Sequence, residues 1–190
     1  MKIRQLVETS YGNVIDLSIG TLTILPSDLP DTVSDNFWCD NNQLTSLKGS
    51  PSKVGGNFYC NNNRLTSLEG CPSQIGGDFY CSINKLTSLE GCPSQVGGNF
   101  YFQDNQVSSL HNVHKHISNI GGNFVCKNNP IQSHILGLMM IEIGGEITTK
   151  LGNGTDVDEI LNRWKNQGRT GVLGAQRGLL ALGYKELAQL

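Results

Sequence analysis

Six cysteines and four histidines are the side chains here best suited to attack a substrate or hold a metal. Thiolate is the reactive and ligating form of cysteine, so the setting of each thiol decides its chemistry. Cys39, Cys60, Cys81 and Cys126 occupy one position of a recurring pattern, and Phe102 stands there once. Cys71 and Cys92 share a second position that Ser50 fills one unit earlier. Exchange with phenylalanine and serine fits reduced thiols that fill space in a core. A zinc site needs donors converging as a tetrahedron, whereas one thiol per stacked unit forms a line. His111, His114 and His116 form an H-x-x-H-x-H string, with His134 further on, but no carboxylate or cysteine lies inside it. It reads as a solvated insertion, and insertions of this kind map to binding edges of repeat arrays. No P-loop, G-x-S-x-G elbow or H-E-x-x-H string occurs. The expectation is a protein that is not an enzyme, with no cofactor and no metal.

Another set of residues suits recognition. Trp38, Tyr59, Tyr80 and Tyr101 recur every 21 residues, followed by Val125. The next outward column reads Asp40, Asn61, Ser82, Gln103 and Lys127, and Arg64 and Lys85 are expected further along the same face. At the spacing of neighbouring strands, about 4.8 Å, four such rings make a stripe roughly 15 Å long. Exposed aromatics rimmed by polar groups have the composition of a protein-binding hot spot. The competing explanation is support of the sheet, because aromatic residues favour strands and pair across them.

The elements that must position these residues follow from internal repetition. FYCNNNRLTSLEGCPSQIGGD (58–78) recurs as FYCSINKLTSLEGCPSQVGGN (79–99), and FWCDNNQLTSLKGSPSKVGGN (37–57) precedes both. A unit with three extra residues spans 100–123, a degenerate one begins at Ile15, and a last one begins at Phe124. Each carries apolar-x-apolar-x-x-Asn-x-apolar, as in Phe58/Cys60/Asn63/Leu65, with Gly20 in place of the asparagine in the first. This is the second part of the leucine-rich-repeat signature. The expected fold is a leucine-rich-repeat solenoid with a parallel β-sheet of about six to seven short strands. Phe37, Phe58, Phe79, Phe100 and Phe124 should point inward, and the asparagines should line up in a ladder on backbone groups. The Gly-Gly pairs at 55/56, 76/77, 97/98 and 121/122 are expected to supply positive φ and close approach between coils. Twenty-one residues leave little room for a convex helix, and with Gly70 and Pro72 that side should be extended or 3-10.

Three segments result: an N-terminal cap (1–13), the solenoid (14–151) and a helical C-terminal cap or docking module (152–190). In the last, Gly152-Asn153-Gly154 marks a turn, and Asp156 and Glu159 fit a capping arrangement. Val157, Ile160, Leu161 and Trp164 form an amphipathic stripe ended by Gly168. A second helix over 172–182 and a short third piece over 184–190 should follow. Fourteen basic and 16 acidic residues nearly cancel, which argues against a nucleic-acid partner. No apolar run is long enough to span a bilayer, and the first residues lack a secretory pattern, so a cytoplasmic protein away from membranes is expected.

The GGNFYC and LTSLEGCP strings and the helical tail over 160–190 resemble the short leucine-rich-repeat proteins of tailed bacteriophages. The repeat likeness covers about residues 14–131; that of the tail is looser. Leu25-Pro26-Ser27-Asp28-Leu29-Pro30 is similar to the LPxxLP units of bacterial repeat effectors. The resemblance implies a protein acting in the host cytoplasm as an inhibitor or adaptor of a bacterial host protein, a defence component among them. A structural or assembly component of a phage particle is the alternative. Repeat effectors can carry a ubiquitin-ligase domain with a catalytic cysteine; no cysteine follows Cys126 here, so that activity does not carry over.

Overall fold

A computed structural model of the chain describes residues 6–9, 12–152 and 155–190, with side chains from residue 14 onward. Most of the turn expected at 152–154, and residues 1–5, 10 and 11 of the expected N-terminal cap, lie outside the described residues. From residue 12 the chain winds as a parallel β-solenoid of about six turns, each contributing one short strand to each of two sheets.

The first sheet stacks Gly12–Asp16, Phe37–Trp38, Phe58–Tyr59, Phe79–Tyr80, Phe100–Tyr101, Phe124–Val125 and Ile147–Thr148 in parallel. Phenylalanine lies on phenylalanine and tyrosine on tyrosine, because each unit of 21 residues returns the chain to the same register. Leu6–Thr9 adds an antiparallel edge strand against Gly12–Asp16. The second sheet stacks Thr32–Val33, Lys53–Val54, Gln74–Ile75, Gln95–Val96, Asn119–Ile120 and Glu142–Ile143. The sequence reading allowed for extended chain on this side but not for a paired sheet. A serine column tightens it: Ser73 Oγ donates to Ser52 O, and Ser94 Oγ to Ser73 O. Phe37, Phe58, Phe79, Phe100 and Phe124 are fully buried between the sheets, with Val54, Val96 and Ile120 from the other side.

The Gly-Gly corners do their work by close approach alone. A Cβ on Gly76 would lie on the carbonyl of Gly55, and one on Gly97 on that of Gly76. None of these pairs has positive φ, contrary to the expectation. Left-handed residues fall elsewhere in the repeats, at Gly49, Gly70 and Gly91 and, after the aromatic strands, at Asn41, Asn62, Ile83, Asp104 and Asn128. Asparagine and aspartate tolerate that conformation; a β-branched isoleucine does not.

The asparagine ladder ties each coil to the one before it. Asn63 Nδ2 donates to Cys60 O (3.1 Å) of its own coil and Cys39 O (3.0 Å) of the preceding one, and Oδ1 accepts from Leu44 N–H (2.9 Å). Asn84 repeats this with Cys81, Cys60 and Leu65. Gly20 ends the ladder, where a Cβ would press on Asn42 Oδ1. A second ladder, not expected, follows the Gly-Gly corners. Asn36 Oδ1 accepts from Asn57 N–H, Asn57 Oδ1 from Asp78 N–H, and Asp78 Oδ1 from Asn99 N–H.

The three-residue insertion forms one helical turn, α1 (Val113–His116), against a 3-10 helix over Ile135–Met140 in the next coil. Two longer helices follow, α2 (Asp156–Trp164) and α3 (Gly168–Ala181). Asp156 opens α2 but is not its N-cap; Thr155 precedes it without a capping side chain. Gly168 starts α3 instead of only ending α2, and residues 184–190 form turns. The glycines of α3 let it close on α2, with Gly174 under the Trp164 ring and Gly178 against Ile160. Side chains of α2, and Asn166 just after it, meet the free edge of the last coil. Asn162 accepts from Ile147 N–H and donates to Ile147 O, and Asn166 does the same at Ile143. Asp158 accepts from Thr149 N–H. Among the described residues no helix is long and apolar enough to cross a membrane.

Replacing Asn63 with Ala should lower stability by about 1–3 kcal/mol, since buried N–H and C=O groups lose their partner. A denaturant midpoint equal to that of the parent chain would contradict this. Ile83→Asn should raise stability by about 1 kcal/mol, because it relieves a left-handed β-branched residue at an exposed corner. A melting temperature unchanged or lowered would count against that strain.

Candidate functional site

The outer surface of the first sheet carries the expected aromatic column. Trp38, Tyr59, Tyr80 and Tyr101 are all half-buried and in register. Their rings stack: Trp38 on Tyr59 at 5.6 Å and 4°, Tyr59 on Tyr80 at 4.7 Å and 7°, Tyr80 on Tyr101 at 4.8 Å and 17°. Ring faces between coils are therefore covered by neighbouring rings, and what remains open is the ring edges. At the ends of the column the neighbours in register are Asp16 beside Trp38 and Val125 beside Tyr101.

The column is anchored to the second ladder. Asn57 Nδ2 donates to Tyr59 Oη (2.9 Å), and Tyr80 Oη donates to Asp78 Oδ2 (2.8 Å). Burial, and then the hydrogen bond to Asp78, push the Tyr80 phenol well above its ordinary value; burial raises Tyr101 too. The four rings thus support the sheet while keeping part of their surface open. The pairing of each hydroxyl with the Asn57/Asp78 corner was legible as a two-residue spacing, but only once the corner is known to turn toward the sheet.

The polar column divides. Asp40, Asn61, Gln103 and Lys127 are half-buried, whereas Ser82 is 6% exposed and its hydroxyl donates to Tyr101 O. Ser82 therefore turns its hydroxyl to the backbone of the sheet. Burial, with a smaller contribution from Asp16, pushes the Asp40 carboxyl up; Asn41 Nδ2 donates to its Oδ2. Arg64 and Lys85 are exposed, but each follows a left-handed residue, Asn62 or Ile83, that breaks the extended run. They stand past that corner.

All six cysteines are free, and Cys39, Cys60, Cys81, Cys92 and Cys126 are buried. Burial raises every thiol well above its ordinary value, Cys92 to about 12, which removes the thiolate needed for nucleophilic attack near neutrality. Among the described residues no three of His, Cys, Asp and Glu gather as a metal set. The histidines do come together in a way the sequence string did not reveal. His111 meets His134, 23 residues on, edge to face at 4.7 Å and 74°. His134 Nδ1 lies 3.0 Å from Ser109 Oγ and 2.8 Å from Ser133 Oγ. The chain matches no protein-family model, and no curated protein matches it significantly.

The buried thiols and Tyr80 also set an alkaline limit. Their folded values lie above the unfolded ones, about 8.5 and 10, so above those values the unfolded chain releases protons that the folded chain keeps. Stability is then fully present below about pH 8.5 and falls as pH rises beyond it. Thermal melts across that range should show the fall, and Tyr80→Phe should lessen it above about pH 10. A flat profile would mean these groups ionise freely while folded.

Proposed function

We propose that this chain is a leucine-rich-repeat protein that binds another protein through its aromatic face and catalyses nothing. In keeping with the resemblance of its repeats, it acts as a phage-encoded inhibitor or adaptor of a bacterial host protein. The observation that carries the reading is the stacked column Trp38–Tyr59–Tyr80–Tyr101, half-exposed and flanked by Asp40, Asn61, Gln103 and Lys127. Rings already fixed by stacking lose little side-chain freedom on binding, which favours affinity. Asp16 and Asp40 at the Trp38 end and Lys127 at the other give the face a polarity that would orient a partner.

The end rings are the right ones to change, since each has one stacked neighbour where Tyr59 and Tyr80 have two. Trp38→Ala with Tyr101→Ala should leave a cooperative melt and weaken binding to a host protein captured by the parent chain at least ten-fold, about 1.4 kcal/mol. Full affinity in the folded double variant moves the site off this face.

We read the helical tail as a cap. Asn162, Asn166 and Asp158 give the last coil the hydrogen bonds that a further coil would otherwise supply. Removing residues 152–190 should then cause self-association, seen by light scattering, before any specific contact is lost. A truncated chain that stays monomeric and equally stable but loses its partner makes the tail a docking module.

A further inference from the structure

We propose that the insertion between Leu110 and Ile117 is a proton-operated latch: α1 closes on the next coil while its histidines are neutral and opens when they are protonated. The seam is close-packed. A Cβ on Gly137 would touch Val113 Cγ1 at 3.0 Å and lie 3.5 Å from His114 Nδ1, so backbone of the 3-10 helix sits directly on α1. His114 is half-buried, and its Nδ1 is shut away from solvent with no hydrogen-bond partner. A proton placed there would be a buried donor with nothing to receive it.

The surrounding charges act in the same direction. His111, Lys115 and His116 flank His114 on its own segment, and α1 has no acidic residue in its first turn. The 3-10 helix packed on it carries no ionisable side chain. His134, just before that helix, pairs with His111 at a ring distance of 4.7 Å. One proton on that pair is tolerated as an imidazolium edge on a neutral ring; two place like charges in contact. Glu90, from the preceding coil, is the acid that lines the cavity of about 370 Å³ with His111 and His116. It can offset one of these charges, not the set.

The latch is also weakly held. Its helix is four residues long and starts after Asn112 at φ 58° without a capping side chain, and the 3-10 helix starts after His134 at φ 60°. Left-handed non-glycine residues cost free energy that packing must recover, so loss of the seam frees both ends to relax. Burial, then Lys115, His111 and His116, lower the His114 value when closed. The closed state is thus fully favoured above the ordinary imidazole value, about 6.5, and loses ground as pH falls below it.

Hydrogen exchange of the intact chain at about pH 7.5 and about pH 5.5 tests the latch, with rates corrected for intrinsic chemistry. Amides of 113–117 and 135–141 should exchange about ten-fold faster at the lower pH, the factor for each unit by which an imidazole is held neutral, while Phe58 and Phe79 stay protected. His114→Gln with His111→Gln should abolish the acid response, and His116→Gln, at an exposed position, should keep most of it. Equal protection at both pH values overturns the proposal, as does loosening that spreads through all coils or persists in the double variant. Should that variant fail to fold, ring resonances of the unaltered chain decide. His114 must titrate below the ordinary imidazole value, about 6.5, with the amides of 135–140 moving in step; titration at or above that value overturns the latch.

Discussion

Backbone-to-backbone contact at strand spacing, coil upon coil, is the constraint from which the other features follow. Parallel strands lie about 4.8 Å apart, which leaves no room for a side chain wherever two corners face each other. Hence the glycine pairs, each of whose absent Cβ would occupy the carbonyl of the coil before. Corners also leave N–H and C=O groups that no strand can pair, and those must be satisfied in a dry interior. The two side-chain ladders, Asn42 to Asn129 on one corner and Asn36 to Asn123 on the other, do this with one residue per coil. Phenylalanine and cysteine then fill the space between sheets. Little of the stability can reside in a single coil, because each ladder asparagine bonds the coil before it as well as its own.

The same stacking shapes the surface. Side chains in register at strand spacing are brought to ring-stacking distance, so four aromatics on one outer column become a continuous stack. Such pairs contribute about 0.5–1.5 kcal/mol each beyond their burial. A visitor to this face meets ring edges, which carry partial positive charge and favour carbonyl or carboxylate oxygens and the faces of other rings. The broad flat ring surface that the sequence pattern brings to mind is already used within the protein.

Period, strand positions, inward phenylalanines, the asparagine ladder and the aromatic column were legible because each is a side-chain type repeated at fixed spacing. The second sheet was not, since Lys53-Val54 and Gln74-Ile75 are too short to show alternation and differ in their outward residue. Residue type alone points to positive φ at the Gly-Gly pairs; the left-handed corners instead fall on Asn62 and its equivalents and on Gly70. The meeting of His111 with His134 depends on a three-residue insertion that shifts one coil against the next, an offset with no signature in the string itself.

The ends of the stack bear on how the chain can meet another. An open parallel sheet recruits further strands through its edges. Here the first sheet ends on one side in the antiparallel Leu6–Thr9 and meets side chains of α2 on the other. The second sheet meets Asn166, just after α2, in the same way, and its opposite edge, Thr32–Val33, is two residues long. Strand addition draws its affinity from a run of main-chain hydrogen bonds, and two residues offer too few. On the proposed function, recognition falls to side chains rather than to strand addition. The large, rigid, half-exposed ones repeated in register are the aromatics of the first sheet, placed there by the same spacing that holds the coils together.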